Sequence, residues 1–377
     1  MTRFQRASVG CLALVAAACG QDQSVSVSNE PTSIDDEPLL ADNAAATAMA
    51  STSDGVLYVA GWAQNNGQPS RWVVRRWNRA AWETIDDWSV DGDHSPTPLG
   101  IAIASDGAVY VGGSIDGDGW DRTWLVRKWD GQSWTESDRY PGSSGFATLS
   151  SMSADAAGHV YAIGYDLQFN PDSTSTFYNV VRTRTDAGWS DASRVLEPDG
   201  LHAGWQWSAV NAQGQLFGAS YMRVSSLLSE QFNEPLPWAS DAAYSIGPGA
   251  MAVDAAGQIY LANVSIADST GAERATLLAW NGAGWTTLDS VANEGQTDYA
   301  ALTIDSNGVL FAGGNVEGSN GSWFVRTWNG QTMTTLSTGA MWSYLTALAS
   351  DGMGHVYAAG GVSHDRQTEH WVVRLVQ

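Results

Sequence analysis

Residues 124–134 read WLVRKWDGQSW, with three tryptophans, an arginine, the chain's only lysine and an Asp-Gly pair inside eleven residues. Such a stretch is either an aromatic binding site or core, and the choice decides the fold. Spacing answers it. Trp72, Trp77 and Trp82 repeat the intervals of Trp124, Trp129 and Trp134, and the pattern returns in part at Trp280 with Trp285, at Trp323 with Trp328, and at Trp371. Arg75, Arg127, Arg182, Arg326 and Arg374 hold a matching strand position. The pairs Asp130 with Gly131, Asn281 with Gly282 and Asn329 with Gly330 are hairpin signals, since tight turns between strands need positive φ. A tryptophan recurring once per repeat is a wedge between neighbouring units rather than a row of separate sites. The stretch therefore reads as core and hairpin, with Trp129 expected among the packed wedges.

A second motif precedes the tryptophans. SDGVLYVAG, SDGAVYVGG, AAGHVYAIG, AQGQLFGAS, AAGQIYLAN, SNGVLFAGG and GMGHVYAAG place an aromatic at Tyr58, Tyr110, Tyr161, Phe217, Tyr260, Phe311 and Tyr357, spaced by 52, 51, 56, 43, 51 and 46 residues. Three residues before each aromatic stands a glycine, from Gly55 to Gly354, as a turn at positive φ demands. Asp155, Asn211, Asp254, Asp305 and Asp351 precede the glycine by three, where a short polar side chain closes an Asx-turn. Each motif is a turn feeding a strand. Seven units with four short strands each predict an all-β, seven-bladed β-propeller of four-stranded antiparallel blades over 44–377. The last repeat stops at WVVRLVQ, its third strand. The alternating QSVSVS at 23–28 is the upstream candidate for the strand that completes this blade, the alternative being a disordered tether.

The chain opens with MTRFQRASVGCLALVAAAC, in which Arg3 and Arg6 precede an apolar run too short to span a bilayer. Residues 1–18 are expected to be a signal peptide. The run ends in VAAAC, which resembles the bacterial lipobox and implies lipidation of Cys19; Ala16 and Ala18 also form a site for ordinary signal peptidase. Gly20 stands where an inner-membrane retention signal would have Asp. Residues 19–43 read as a linker from the anchor, and the expected location is the bacterial cell envelope, as an outer-membrane lipoprotein or a secreted protein. The only cysteines are Cys11 and Cys19, so the mature chain can form no internal disulfide.

The 377 residues are 44% hydrophobic and 15% charged, with 40 glycines, which excludes coiled coil. Forty acidic residues against eighteen basic ones give a net charge of −22, which disfavours nucleic acid and anionic membrane surfaces as partners.

With the repeat motifs in hand, the units resemble kelch and galactose-oxidase-type propeller repeats and the related SBBP repeats, several of which occur in exported lipoproteins. The resemblance covers 44–377 and rests on W-[ND]-G-x-x-W and on Gly112-Gly113, Gly313-Gly314 and Gly360-Gly361, which match the kelch glycine pair after the second strand. It implies a propeller. Such families include scaffolds, lectins, lyases and oxidases, so the fold does not select a function.

Propeller ligands sit on the face built by the loops entering the innermost strands and the loops between second and third strands. There the sequence places the binding candidates Phe146, His202, Trp205, Trp207, Tyr244, Tyr299 and Trp342. Trp205 and Trp207, two apart on an extended chain, are expected to point the same way and form a platform. Aromatics ringed by amides and carboxylates suit sugar stacking or a partner protein; alternatively they plug the channel and cover the core. Asp116, Asp118 and Asp121 resemble part of a calcium loop without its downstream glutamate. His159 and His355 share a strand position and read as structural. No cofactor is implied. The expectation is a monomeric binding or scaffold propeller for a protein or saccharide, the alternative being a polysaccharide lyase or hydrolase with a His/Tyr site.

Overall fold

A computed structural model describes residues 32–37, 40–92, 94–119, 121–172, 174–190, 193–196, 205–220, 223–227, 233–235, 245–266, 273–291, 297–316, 321–338, 343–363 and 368–377. Seven antiparallel sheets follow one another as the blades of a β-propeller, formed by residues 43–88, 96–140, 147–196, 207–235, 245–291, 297–338 and 343–375. In blade 3 the fourth position is shared by Gly188–Trp189 and Ser193–Leu196, which both pair with Ser175–Thr185. In blade 7 it is filled from the other end of the chain. Thr32–Glu37 runs antiparallel to His370–Leu375 and closes the ring. The closing strand thus lies downstream of the expected 23–28 segment, within the stretch read as linker; 23–28 itself, like Cys19, lies outside the described residues.

Every turn glycine of the repeat has positive φ, from 77° at Gly214 to 93° at Gly354. The preceding Asp or Asn closes the turn as expected: Asp305 Oδ1 accepts the Asn307 and Val309 N–H groups at 2.9 and 2.8 Å. Where His follows, the same carboxylate does more. Asp155 Oδ2 accepts from the His159 ring at 2.8 Å and the Tyr161 hydroxyl at 2.9 Å, and Asp351 repeats this with His355 and Tyr357. Both histidines are structural.

The glycine pairs lie inside the second strands rather than after them. The innermost strand bulges between Pro98 and Gly100, Tyr299 and Ala301, and Leu345 and Ala347, and a glycine faces each bulge. A Cβ on Gly113 would lie 2.0 Å from the Thr97 carbonyl oxygen, so only glycine lets the strand bend there.

Trp72, Trp124 and Trp371 are fully buried at successive seams, and Trp323 nearly so. Trp129 packs against the same core between blades 1 and 2 as Trp72, but less completely. It is half-buried and pairs across its hairpin with Trp134 at 5.7 Å, as Trp77 does with Trp82.

The recurring arginine is a clamp to the preceding blade. Arg127 pairs with Asp86 of blade 1 at 2.9 and 3.0 Å, Arg182 with Asp138 of blade 2 at 2.7 Å twice, and Arg326 with Asp289 of blade 5 at 2.6 Å. Arg75 pairs with Asp35 of the closing strand at 2.7 and 2.8 Å. A shift of register just before each aspartate aims it across the seam, as between Ser33 and Asp35 and opposite Val74 and Arg75. The closing strand is therefore held twice, by a ladder to blade 7 and by an ion pair to blade 1.

Candidate functional site

The loop face at the seam of blades 2 and 3 gathers the densest described set of aromatic and polar groups. Phe146 leads into the first strand of blade 3 and forms a parallel bridge with Arg122, whose N–H donates to the Gly145 carbonyl at 2.8 Å. The Arg122 guanidinium lies 5.5 Å from the Phe146 ring centre. On its other side Phe146 stacks on Tyr165 at 6.2 Å and 29°, and Tyr165 meets Phe177 at 6.0 Å. Tyr165 and Phe177 come from the second and third strands of blade 3, whose ladder continues to Phe169 and Ser175. The long segment YDLQFNPDSTSTF, residues 165–177, therefore forms a tall hairpin over most of its length.

Asp166, the residue after Tyr165 and therefore on the other face of the same strand, is fully buried. Its carboxylate accepts the Tyr140 hydroxyl at 2.7 Å, the Ser143 N–H and Oγ at 3.1 Å each, and the Arg194 Nε at 2.9 Å. Arg194 also donates to Ser143 Oγ at 3.0 Å and covers the Tyr178 ring at 3.9 Å. Burial, then the Asp166 carboxylate, push the Tyr140 phenol well above its ordinary range, so it stays a hydrogen-bond donor. The network joins the outer strand of blade 2, the connection between blades and three strands of blade 3, and it fixes the Arg194–Tyr178 stack. Around it Phe169, Val195 and Leu196 are exposed, Leu196 at 54%.

The other candidates from the sequence are dispersed. Trp205 is 5% exposed and packs with Ile163 and Leu216 between blades 3 and 4, its backbone N–H donating to Asn179 Oδ1 at 2.7 Å. Trp207 packs instead toward blade 5 and reaches the axial channel, a cavity of about 170 Å³ lined from every blade, with Met49, Met152, Met251 and Leu348 among its walls. The two tryptophans do not form a common platform, because the chain turns Trp205 into a seam before the strand Trp207–Val210 begins. Tyr299 is fully buried, edge-on to Phe324 at 5.5 Å, and its hydroxyl donates to the Asp289 that Arg326 also holds. His202, Tyr244 and Trp342 lie outside the described residues. Asp116 is engaged by Arg122 at 2.7 Å, and the Asp121 N–H donates to the Asp118 carbonyl at 3.2 Å. Among the described residues no three His, Cys, Asp or Glu side chains converge as metal ligands. Tyr165, Asp166 and Phe177 fall in the long segment YDLQFNPDSTSTF, which the sequence places among the loop-face candidates, whereas Tyr178 and Arg194 lie outside it. The signal for the first four was the aromatic density of residues 165–178.

These features define a closed, seven-bladed β-propeller with a pre-ordered aromatic seam on its loop face. No protein-family model matches the chain, and no curated protein does. Among solved structures, it is similar to an ulvan lyase, a polysaccharide lyase, at 14% identity over 90% of this chain and 95% of that one, with a TM-score of 0.51. It is also similar to the β-propeller domain of the Trilobed protease from Pyrococcus furiosus, at 10% identity over 89% and 96%, with a TM-score of 0.53. Sqt1 from Chaetomium thermophilum matches at 13% identity over 88% and 83%, with a TM-score of 0.51. At these identities the likeness is one of fold. The Pyrococcus domain has an open velcro topology, whereas here Thr32–Glu37 closes the ring.

Proposed function

We propose that the protein is an extracytoplasmic, lipid-anchored propeller that binds a partner protein through the loop face of blades 2 and 3. One observation carries this reading: of the five large apolar side chains exposed among the described residues, Phe169, Val195 and Leu196 belong to blade 3. They flank the run Phe146, Tyr165 and Phe177 and the Arg194–Tyr178 stack. Exposed apolar groups gathered at one place mark interaction surfaces, and aromatic and arginine anchors supply most of the energy of such contacts. The Asp166 network holds the Arg194–Tyr178 stack in place before binding, which lowers the ordering cost of association. Cys19 would tether the propeller to the envelope membrane.

A photo-crosslinking residue at position 169 is expected to capture a protein in envelope preparations, and Leu196→Asp in the same chain to abolish the adduct. Position 353, exposed on the opposite face, serves as control; equal capture there would refute the assignment. The rival reading takes its cue from the shared fold with a polysaccharide lyase. Depolymerisation of an anionic polysaccharide, with release of unsaturated sugar ends, would favour it. Cys19→Ser is expected to release the protein from membranes and to end incorporation of labelled fatty acid. A wholly soluble wild type would point to ordinary cleavage after Ala18.

A further inference from the structure

The loop face of blade 7 carries a second group of polar side chains, built around a glycine. Tyr344 opens the first strand of this blade and pairs with Gly361 on the second. Glu369 stands just before the third strand, with its backbone tied to blade 1: its carbonyl accepts the Ala44 N–H at 2.8 Å and its N–H donates to Asn43 Oδ1 at 3.1 Å. A Cβ on Gly361 would lie 2.6 Å from Glu369 Oε1 and 2.8 Å from the Tyr344 hydroxyl oxygen. The corresponding position, read through the strand pairing, is Trp62, Ser114, Tyr165 and Asn315 in blades 1, 2, 3 and 6. Blade 7 leaves this space free of a side chain, and a carboxyl and a phenol reach into it.

Glu369 is half-buried, and no described lysine or arginine pairs with its carboxylate. The contrast with the seams is plain, where Asp35, Asp86, Asp138 and Asp289 each have an arginine. Burial pushes the Glu369 carboxyl up to about 7, with no opposing charge among the described residues to bring it down. A carboxylate held partly out of water, with no counter-ion among the described residues, gains most from a cation delivered to it, because its desolvation has already been met in folding. The adjacent phenol oxygen offers a second acceptor for an N–H donor and an aromatic edge for the stem behind it.

We propose that Glu369 and Tyr344, meeting over Gly361, form a subsite for a basic side chain, a lysine or arginine, presented by a protein partner. A strongly acidic protein favours basic partners at long range, and the cradle supplies the short-range contact. The subsite lies on the same face as the aromatic seam but on another blade. Because it is assayed with a peptide, its outcome is independent of whether the blade 3 surface binds anything.

The test is calorimetry at pH 7 with the full chain and the capped tripeptide acetyl-Gly-Lys-Gly-amide, with norleucine in place of lysine as the neutral control. The lysine peptide is expected to bind, the norleucine peptide to fail, and Glu369→Gln to lose about tenfold or more in affinity, the size of one charge-assisted contact. Repeating the titration in buffers of different ionisation enthalpy should show proton release, which a surface attraction elsewhere would not produce. Gly361→Ala is expected to lose binding with all charges kept, and an unchanged near-ultraviolet dichroism confirms that each variant is folded. Equal binding by wild type and Glu369→Gln, or no preference for lysine over norleucine, would overturn the proposal. Preference for a glucosamine trimer over the lysine peptide would overturn the choice of a protein side chain.

Discussion

Asp35→Ala tests how the ring is closed. Asp35 lies on the strand that completes blade 7, yet both of its carboxylate oxygens accept from Arg75 of blade 1, at 2.7 and 2.8 Å. The two side chains are 5% and 8% exposed. Alanine removes the charge that balances a guanidinium in a nearly dry seam, and breaking one side of such a pair costs about 3–5 kcal/mol. With a urea slope of about 3 kcal/mol/M, the upper end for small proteins, the unfolding midpoint should fall by about 1 M or more, followed by tryptophan fluorescence. Glu136→Ala is the control: its pair with Arg139 is 45% and 46% exposed and should contribute about 0.5 kcal/mol. Asp86→Ala breaks the same geometry between blades 1 and 2, which the chain also joins covalently. Asp35→Ala should therefore add faster amide exchange in residues 371–375, which Asp86→Ala should not. At Asp86 burial outweighs Arg127 and leaves the carboxyl raised, so these pairs specify a seam more than they add net stability. Replacing Asp35 and Arg75 together by apolar residues should accordingly recover part of the loss. A midpoint for Asp35→Ala no lower than that of Glu136→Ala would refute the closing role of this contact.

Trp124→Ala should cost about 3–5 kcal/mol because the ring is fully buried against Tyr140, and Trp129→Ala distinctly less; equal losses in denaturant titration would contradict the assignment of wedge and hairpin. Arg79 takes the hairpin position that Gly131 holds in blade 2 and sits at φ 73°. Arg79→Gly should raise stability by about 0.5–1 kcal/mol, the strain relieved less the added chain entropy. Burial alone would raise the Asp155 carboxyl, but hydrogen bonds from His159 and Tyr161 hold it below its usual range. A lowered carboxylate stabilises above its unfolded value and loses that contribution as pH falls through the folded one, so His159→Ala should move acid unfolding to higher pH. Glu369 has the opposite sign: wild type loses stability as pH rises from its unfolded value of 4.5 through about 7, and Glu369→Gln should gain on it over that window.

Much of this could be read from the sequence, and the failures have physical causes. The seven turn glycines and the hairpin asparagines report local backbone demands, which any reader of the chain can recover. The recurring arginines were visible as a column, but their partners lie on the preceding blade, so the ion pairs appear only when blades pack. The closing strand had a signal of its own. SIDDE at 33–37 echoes TIDDW at 84–88, the outer strand of blade 1, with Asp35 where Asp86 stands. Alternation at 23–28 was a weaker guide, because period two describes any strand and carries neither the bulge nor the aspartate that an outer strand of this ring requires. Trp205 and Trp207 failed as a platform for a related reason, since two-residue spacing sets a common direction only while the chain stays extended.

What the sequence determined by itself is the repeat: the turn, the paired strands, the wedge and hence the number of blades, since each is written in residues within one unit. The tertiary structure decided what depends on neighbours. It set which blade each aspartate faces, how a segment ahead of the first blade completes the last, and that Phe146, Tyr165 and Phe177 stack on one another while Asp166, on the other face of the strand, ties blade 3 to blade 2. It also placed Glu369 beside Tyr344 over a glycine. These groups are far apart in the chain or on different strands, and only strand pairing within a blade and packing between blades bring them within contact distance.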